Sequence, residues 1–319
     1  MKIALGYQQH RGNTDKTILV GRERAYHGVG FGGISVGGLP MNKKHFPLLE
    51  NVDHICSTHN LEKNAFSKGQ PEWGKELADD LLRVIEKHGA DKIAAFITEP
   101  LAGSTGVLVP PKGYLERVRD ICTKHDILLI FDEVITGFGR LGTPFAAQYF
   151  NVEPDLITCA KGLTSGTIPM GAVLVKKEIY DAYQDGDAKA IDLFHGYTYS
   201  AHPMASAALI ASLEVYTDDG LFEQASIMSS YWEDALHSLK GTDHIIDIRN
   251  LGLVAGIEME SREGKPGSRG YDVFTDGFHN HNLLLRITGD TLALSPPLIA
   301  KKEHIDQIVE ILKNIIPKH

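Results

Sequence analysis

The sequence predicts an α/β protein with a large domain, built on a mainly parallel sheet flanked by helices, and a smaller C-terminal α/β domain. Two continuously apolar strands, Ile93–Ile97 and Ile127–Phe131, stand on either side of a helix predicted over Gly113–His125. Strands that are apolar on both faces and joined through a helix are typical of a βαβ unit in a covered parallel sheet. A chain of 319 residues also has the length of roughly two domains.

The other elements continue this alternation up to residue 215, where the pattern changes. Before that point we predict a strand at Thr17–Val20, a helix at Pro71–Lys87, and further buried strands at Leu156–Cys159 and Gly171–Val175. After it we predict a helix at Leu221–Leu239, strands at Ile245–Arg249 and Val254–Glu260, and a polar loop at Ser261–Gly270. A short helix, a strand at Leu283–Ile287 and a final helix follow. We therefore assign residues 1–215 to a large cofactor-binding domain and residues 216–319 to a small C-terminal domain.

The composition excludes several classes of protein. The net charge of −9 with no basic block disfavours nucleic acid and anionic membranes as partners. No apolar run approaches the ~18 residues that a membrane helix needs. Three cysteines without a CxxC spacing argue against a disulfide scaffold or a zinc ribbon and fit the reducing cytoplasm. The 15 histidines form no HExxH motif, so we expect no metal site.

The first ten residues have the spacing of a helix that no N-cap residue precedes. The first N–H groups of such a helix would lack partners. The basic, apolar and cleavage-site pattern of a secretory signal peptide is not found after Met1. We therefore expect that an N-terminal segment is missing from this sequence.

Ionisable side chains follow three of the predicted strands. Glu99 comes after Ile93–Ile97, Asp132 directly after Ile127–Phe131, and Lys161 after the strand that ends at Cys159. Ligands of open parallel sheets bind at the carboxyl ends of the strands. A carboxylate there is costly to desolvate unless it meets a cation or a donor. We therefore expect a functional site at this edge of the sheet.

Pyridoxal phosphate chemistry uses such a pair of groups. The cofactor is held as a Schiff base on a lysine, and an acidic side chain pairs with its pyridine nitrogen. A partly desolvated lysine also loses its proton more readily. On spacing alone, Asp132 with Glu133 is more often a metal ligand or an ion pair than a partner of pyridoxal, and Lys161 is more often part of a surface loop. A phosphoryl-transfer site is disfavoured because the sequence has no GxxxxGK[ST] motif.

A family resemblance distinguishes these alternatives. The stretch LIFDEVITGFGR at residues 129–140, with PDLITCAKG at 154–162, resembles the signature of class III aminotransferases. Further segments that agree with it are Tyr26-His27-Gly28, EPLAGS at 99–104, HGYTYSAHP at 195–203, and Arg286 within LLLRITGDTLALSPPL. Together they most resemble the ω-amino acid:pyruvate (β-alanine:pyruvate) branch, over essentially the whole chain. The resemblance implies a fold of type I, similar to that of aspartate aminotransferase, and pyridoxal 5'-phosphate as cofactor.

The resemblance also implies roles for the residues that would hold the cofactor. Lys161 would form the Schiff base and then carry the substrate proton. Asp132 would pair with the pyridine nitrogen. Val134 would pack on one face of the ring, where it also reads as a plain core valine. Tyr26 would stack on the other face with His27 beside it, although either also reads as a core aromatic residue.

Three further residues complete the implied site. Thr198 would donate to the cofactor phosphate from the partner subunit of a homodimer with shared active sites. Arg286 would bind the substrate carboxylate, since a planar guanidinium suits bidentate recognition. Glu99 would pair with Arg286 when an amine without a carboxylate enters. The alternative for Glu99 and Arg286 is an ordinary structural salt bridge.

The implied reaction is a ping-pong transamination from an ω-amino acid or amine to pyruvate or another oxo acid. Three alternatives stay open: an aminomutase that uses the same cofactor, a truncated and inactive remnant of the fold, and a metal-dependent enzyme. The remnant is considered because family members carry a Gly-Ser turn that binds the cofactor phosphate, and this sequence has none before Met1.

Overall fold

The computed structural model of the chain describes residues 1–186 and 191–319. Within them the strands are β1 (Ile18–Arg22), β2 (Val52–Ile55), β3 (Ile93–Thr98), β4 (Leu128–Asp132), β5 (Leu156–Cys159), β6 (Ala172–Val175), β7 (Ile245–Leu251), β8 (Val254–Met259), β9 (Arg286–Thr288) and β10 (Thr291–Leu294). The α-helices of the same residues are α1 (Lys2–His10), α2 (Phe31–Val36), α3 (Pro40–Lys43), α4 (Leu61–Asn64), α5 (Asp80–His88), α6 (Tyr114–Lys124), α7 (Ala146–Phe150), α8 (Lys177–Gln184), α9 (Pro203–Asp218), α10 (Leu221–His237), α11 (Ser268–His281) and α12 (Lys302–Ile315).

The first sheet has the strand order β2-β1-β3-β4-β5-β6, and its first five strands are parallel. Every residue of β3 is buried, as its continuously apolar sequence predicts. The last strand, β6, runs antiparallel to β5. The strand predicted at Gly171–Val175 is confirmed over Ala172–Val175, but the burial that we expected of it is wrong, because Val173 and Leu174 are each 46% exposed. As the edge strand, β6 has a neighbour on one side only.

The helices that cover this sheet bury the faces that their spacing predicts. In α6, Leu115, Val118 and Cys122 enter the same core as the sheet. A leucine or valine side chain contributes about 1.5–3 kcal/mol when fully buried. The helix predicted over Pro71–Lys87 is only partly confirmed, because residues 75–79 form a 3-10 helix before α5 begins. Gly74 has a positive φ of 119°, which a continuous α-helix does not accommodate.

The second sheet is antiparallel, with the order β7-β8-β10-β9. Here two predictions are wrong. The helix that we expected to be short, α11, has 14 residues and begins inside the predicted polar loop. The strand predicted at Leu283–Ile287 begins only at Arg286, and its hairpin partner β10 was not predicted. Asn282 explains the shift, since its φ of 54° ends α11 and an extended segment follows it.

The two halves of the chain share their cores. Leu251 and Val254, from the hairpin of the second sheet, pack in the core of the first. Phe138 and Leu163, from the first half, pack in the core of the second. The boundary that we placed after residue 215 falls inside α9, so the division into residues 1–215 and 216–319 stays a prediction. None of the helices that the structure describes combines the length and the apolar character needed to cross a membrane.

Candidate active site

The carboxyl ends of three parallel strands bring the predicted residues together. Glu99 follows β3, Asp132 ends β4, and Lys161 comes two residues after β5, whose Thr158 lies beside Asp132 in the sheet. All three line one cavity of about 1140 Å³. The wall of this cavity also contains three other residues of the predicted site, which are Tyr26, His27 and Val134. Glu99, Asp132 and Lys161 lie at one edge of the sheet because the three parallel strands that precede them end there.

Asp132 is held from two sides. His27 Nδ1 lies 2.8 Å from Asp132 Oδ2, so the imidazole donates to the carboxylate. The Val134 N–H donates to the other oxygen at 3.2 Å. The His27 side chain is 1% exposed, and its Nε2 has no hydrogen-bond partner among the residues described. Each carboxylate oxygen keeps a free lone pair, so Asp132 can still accept from a cationic ligand.

Lys161 opens a 3-10 turn, Lys161–Thr164, with a backbone φ of 48°. This left-handed conformation costs a non-glycine residue roughly 1–2 kcal/mol and is typical of functional positions. Partial burial is the largest influence on the pKa of Lys161 and lowers it. The charges of Asp132 and Glu99 raise this pKa and that of Arg286 lowers it, and the net effect is a lowered pKa. The amine therefore loses its proton more readily than that of an ordinary lysine.

Glu99 is buried, and in the substrate-free chain its neighbours are Tyr26 and Arg22. Its Oε2 accepts from the Tyr26 N–H at 3.3 Å and lies 3.9 Å from Nη2 of the buried Arg22. Burial raises the pKa of Glu99 to about 7, although His27 and Arg22 act in the opposite direction. A carboxyl group in this state titrates near neutral pH.

Arg286 lies apart from Glu99. It is exposed, and its Nη2 donates to the backbone carbonyl of Ser104 at 3.3 Å, an acceptor that Thr288 Oγ1 shares at 3.0 Å. Within the described part of the chain no ion pair joins Glu99 to Arg286. The structural salt bridge that we considered for this pair is therefore wrong. The physical reason is that β1 lies beside β3, so Arg22 is the cation sealed in with Glu99.

A second cavity, of about 610 Å³, lies on the Arg286 side of Lys161. Most of its wall is apolar, and part of it comes from the segment around β10. Val134, Ile135 and Lys161 line both cavities. Lys161 thus stands between a compartment that contains Asp132 and one that contains Arg286.

Thr198 is exposed and does not line either cavity, whereas its neighbours Tyr197 and Tyr199 line the larger one. Two groups that contact the predicted site residues were not predicted from the sequence. Arg22 carried a usable signal, since it is a cation at the end of an apolar strand. The carbonyl of Ser104 carried none, because a backbone acceptor has no signature in the sequence.

The residues present fit pyridoxal phosphate. An oriented carboxylate, an amine with a lowered pKa and an aromatic side chain face one cavity. That donor set matches what a ring with a cationic nitrogen and an aldehyde requires.

Comparison with known proteins agrees with this chemistry. A family model described as aminotransferase class-III matches residues 1–316. An omega-aminotransferase of Caulobacter vibrioides is 60% identical over 317 residues, which cover 99% of this chain and 72% of that protein. A beta-alanine–pyruvate aminotransferase of Pseudomonas aeruginosa is 46% identical, with 97% of this chain and 69% of that protein covered.

Solved structures show the same fold. The omega-transaminase of Thermomicrobium roseum superposes with a TM-score of 0.90 at 31% identity, covering 99% of this chain and 71% of that one. The omega transaminase of Pseudomonas jessenii in complex with PMP gives a TM-score of 0.89 at 30% identity, covering 100% and 73%. The chain therefore belongs to the class-III aminotransferase family and is an aminotransferase of fold type I.

Proposed function

We propose that this chain is a pyridoxal phosphate-dependent transaminase that moves an amino group from an ω-amino acid or amine to pyruvate or another oxo acid. The observation that carries the proposal is the pairing of Asp132, oriented by His27, with Lys161 in one cavity. The names of the relatives, which include omega-aminotransferase and beta-alanine–pyruvate aminotransferase, support the substrate class.

Four residues of this chain would hold the cofactor. Lys161 would bind it covalently, Asp132 would pair with its ring nitrogen, and Val134 and Tyr26 would cover its two faces. When bound, the cofactor supplies an electron-withdrawing ring that stabilises negative charge on the substrate carbon. Once the substrate amine has replaced Lys161 on the cofactor, the freed Nζ would accept the proton that this carbon loses, and the lowered pKa of Lys161 favours the neutral amine that this step needs. The charge of Asp132 favours a protonated ring nitrogen.

Arg286 would select substrates by their carboxylate. Arg286 lines the cavity next to Lys161, and among the described residues its guanidinium makes one hydrogen bond, of 3.3 Å, to a backbone carbonyl. That leaves most of its donors free for a bidentate carboxylate contact. Glu99, in the neighbouring compartment, supplies a counter-charge for Arg286 when the substrate has none.

We also propose a homodimer. Large apolar side chains are exposed next to the larger cavity, and the group consists of Val29, Phe31, Phe194, Tyr197, Tyr199 and Met204. Exposed apolar groups in such number mark an interaction surface. Thr198 lies among them, which supports a role for it at the cofactor phosphate of the partner subunit's site.

The central test compares wild type with Lys161→Ala after both are incubated with pyridoxal phosphate. We expect wild type to gain a visible absorbance band and to transfer nitrogen from β-alanine to pyruvate. Lys161→Ala should lose the band and at least about 10³-fold in kcat, because the proton carrier is gone. Lys177→Ala removes a lysine that is exposed on α8 and serves as the matched control.

The same assay separates the alternatives. Identical spectra for wild type and Lys161→Ala would contradict the proposed catalytic role. Turnover of an amino acid without any oxo acid would indicate an aminomutase. Loss of activity with a chelator would indicate a metal-dependent enzyme.

Arg286→Ala tests the substrate side. We expect kcat/KM for β-alanine to fall about 10- to 100-fold, whereas that for a simple aryl-alkyl amine should change less than about threefold. Equal losses for both donors would remove Arg286 from the substrate site.

A further inference from the structure

One aromatic side chain of α9 supports the turn that carries Lys161. Tyr216 is 7% exposed, and its hydroxyl donates to the Gly162 carbonyl at 2.6 Å. The same hydroxyl lies 2.9 Å from Ser165 Oγ. Because a phenol has one hydrogen and the carbonyl takes it, Ser165 donates to Tyr216. A single side chain thus joins the beginning and the end of the turn.

The turn needs such support. Both Lys161 and Ser165 have left-handed backbones, with φ of 48° and 50°. Non-glycine residues keep this conformation only where their surroundings over-determine it. On the other side Gly162 packs closely, since a Cβ there would lie 2.8 Å from Cβ of Phe138. The backbone between Lys161 and Ser165 is therefore clamped by Phe138 and by the hydroxyl of Tyr216.

The ring and the hydroxyl of Tyr216 do separate things. The ring stacks on Phe138 with centroids 6.1 Å apart and lies 5.4 Å from Phe222. Those contacts belong to the core and do not need the oxygen. Among the residues that the structure describes, the hydroxyl makes its hydrogen bonds to the turn alone.

We propose that Tyr216 is a positioning residue whose hydroxyl fixes the Lys161 turn and so keeps Lys161 Nζ between the two cavities. The inference rests on the proposed function of Lys161 and adds a residue to it. Nothing in the catalytic signature around Asp132 and Lys161 assigns a role to this position.

The charges around Lys161 determine what a loosened turn would do. Asp132 faces it from β4, Glu99 from the end of β3 and Arg286 from β9, while Tyr216 lies beneath it on α9. Burial is the largest cause of the lowered pKa of Lys161. Lys161 is exposed in the folded chain and only partly desolvated. A turn without its clamp lets Nζ move away from the groups that desolvate it, so the pKa of Lys161 rises toward its ordinary value.

Tyr216→Phe tests this in the full chain, because it keeps the ring and removes the oxygen. The first measurement is the pH dependence of Lys161 acetylation in cofactor-free protein, followed by peptide mass spectrometry. We expect the midpoint to rise by about half a pH unit or more. The second is kcat of the reconstituted enzyme, which should fall about tenfold with KM changed less than about twofold. Tyr183→Phe, which removes a hydroxyl that donates to the Ile3 carbonyl at 2.8 Å, is the matched control and should change neither.

The outcomes are separable. A Lys161 midpoint in Tyr216→Phe that equals wild type would overturn the inference, even if the melting temperature falls. Should Tyr216→Phe fold poorly, Ser165→Ala removes one bond of the clamp and must shift the midpoint in the same direction. The titration of Lys161 uses no cofactor, so it decides the inference even if the wild-type spectrum contradicts the proposed function.

Discussion

Two buried clusters in this molecule contain the same four residue types and behave differently. The cluster at the site lies at the ends of β1, β3 and β4 and consists of Arg22, His27, Glu99 and Asp132. The cluster of the second sheet lies on β7 and β8 with one residue from before α4, and consists of His59, Asp247, Arg249 and Glu258.

In the second cluster one arginine pairs with both carboxylates at short distance, although Arg249 Nη2 is buried without a hydrogen-bond partner among the described residues. Arg249 Nη1 lies 2.5 Å from Asp247 Oδ2 and 2.6 Å from Glu258 Oε2, and Nε donates to the Gly106 carbonyl at 2.9 Å. Burial opposes ionisation of Glu258, yet hydrogen bonds from His59 and Arg249 lower the pKa of Glu258 to about 2. Arg249 lies among the three side chains that would otherwise suit a metal ion. The guanidinium of Arg249 thus already supplies positive charge to both carboxylates of this cluster.

At the site the pairing is looser. Arg22 approaches Glu99 only to 3.9 Å, and the pKa of Glu99 rises to about 7 where that of Glu258 falls to about 2. Distance and the number of donors, not residue type, decide whether a buried carboxyl group titrates near neutral pH. An incompletely paired carboxyl group is free to change partners.

The Asp247–Arg249 pair of the second cluster should be important for stability. Asp247→Asn removes a fully buried charge from Arg249 and should lower the free energy of unfolding by about 3 kcal/mol. The measurement is urea unfolding, with Asp181→Asn, from an exposed ion pair on α8, as control. We expect kcat per folded molecule to stay within about twofold. A tenfold loss of kcat without destabilisation would place this cluster in the catalytic machinery.

Asp132→Asn makes the corresponding change in the cluster at the site. It keeps the shape of the side chain and removes the charge that favours a protonated ring nitrogen, so kcat should fall about 100-fold. Cofactor affinity and the free energy of unfolding should change much less. Steady-state kinetics check this against Asp120→Asn, an exposed change on α6. Equal values of kcat for the two variants would count against Asp132.

The smallest effect concerns pH. With its pKa at about 7, Glu99 is neutral at pH 6 and ionised at pH 8, so it competes for Arg286 only at the higher pH. The preference of wild type for β-alanine over a simple amine should therefore fall about tenfold from pH 6 to pH 8. Glu99→Gln should abolish that slope, whereas Glu258→Gln should keep it. A slope that survives in Glu99→Gln would exclude Glu99 as the titrating group.

The raised pKa of Glu99 should also make the stability of the folded chain depend on pH. A carboxyl group whose pKa is raised in the folded chain stabilises it fully below about pH 4.5, and this contribution is lost as pH rises through about 7. Glu258 has the opposite sign, since its contribution is present above about pH 4.5 and is lost as pH falls toward 2.

The position of Asp132 and Lys161 was predictable because it depends on local apolar runs that end at known residues. The pairing of Glu99 with Arg22 was not, since it depends on β1 lying beside β3, and neighbours in a sheet are not encoded in either strand. The reversed direction of β6 escaped for the same reason.

The bounds of other elements were not predictable because a single residue overrides the local sequence pattern. Gly74 interrupts a segment with helical spacing, and Asn282 moves a predicted strand three residues toward the C-terminus. The role expected of Thr198 depends on a second copy of the chain, which no local pattern describes.

The division of space on the two sides of Lys161 has a consequence for how this enzyme can diversify. The wall of the smaller cavity includes Ala293 and Ile299, which take no part in orienting Asp132. On the proposed function, we expect substitutions there to change substrate choice more than they change the cofactor chemistry at Asp132. Changes at Val134 or Ile135, which border both compartments, alter both at once. We therefore expect residues that line only the smaller cavity to tolerate substitution better than residues that line both cavities.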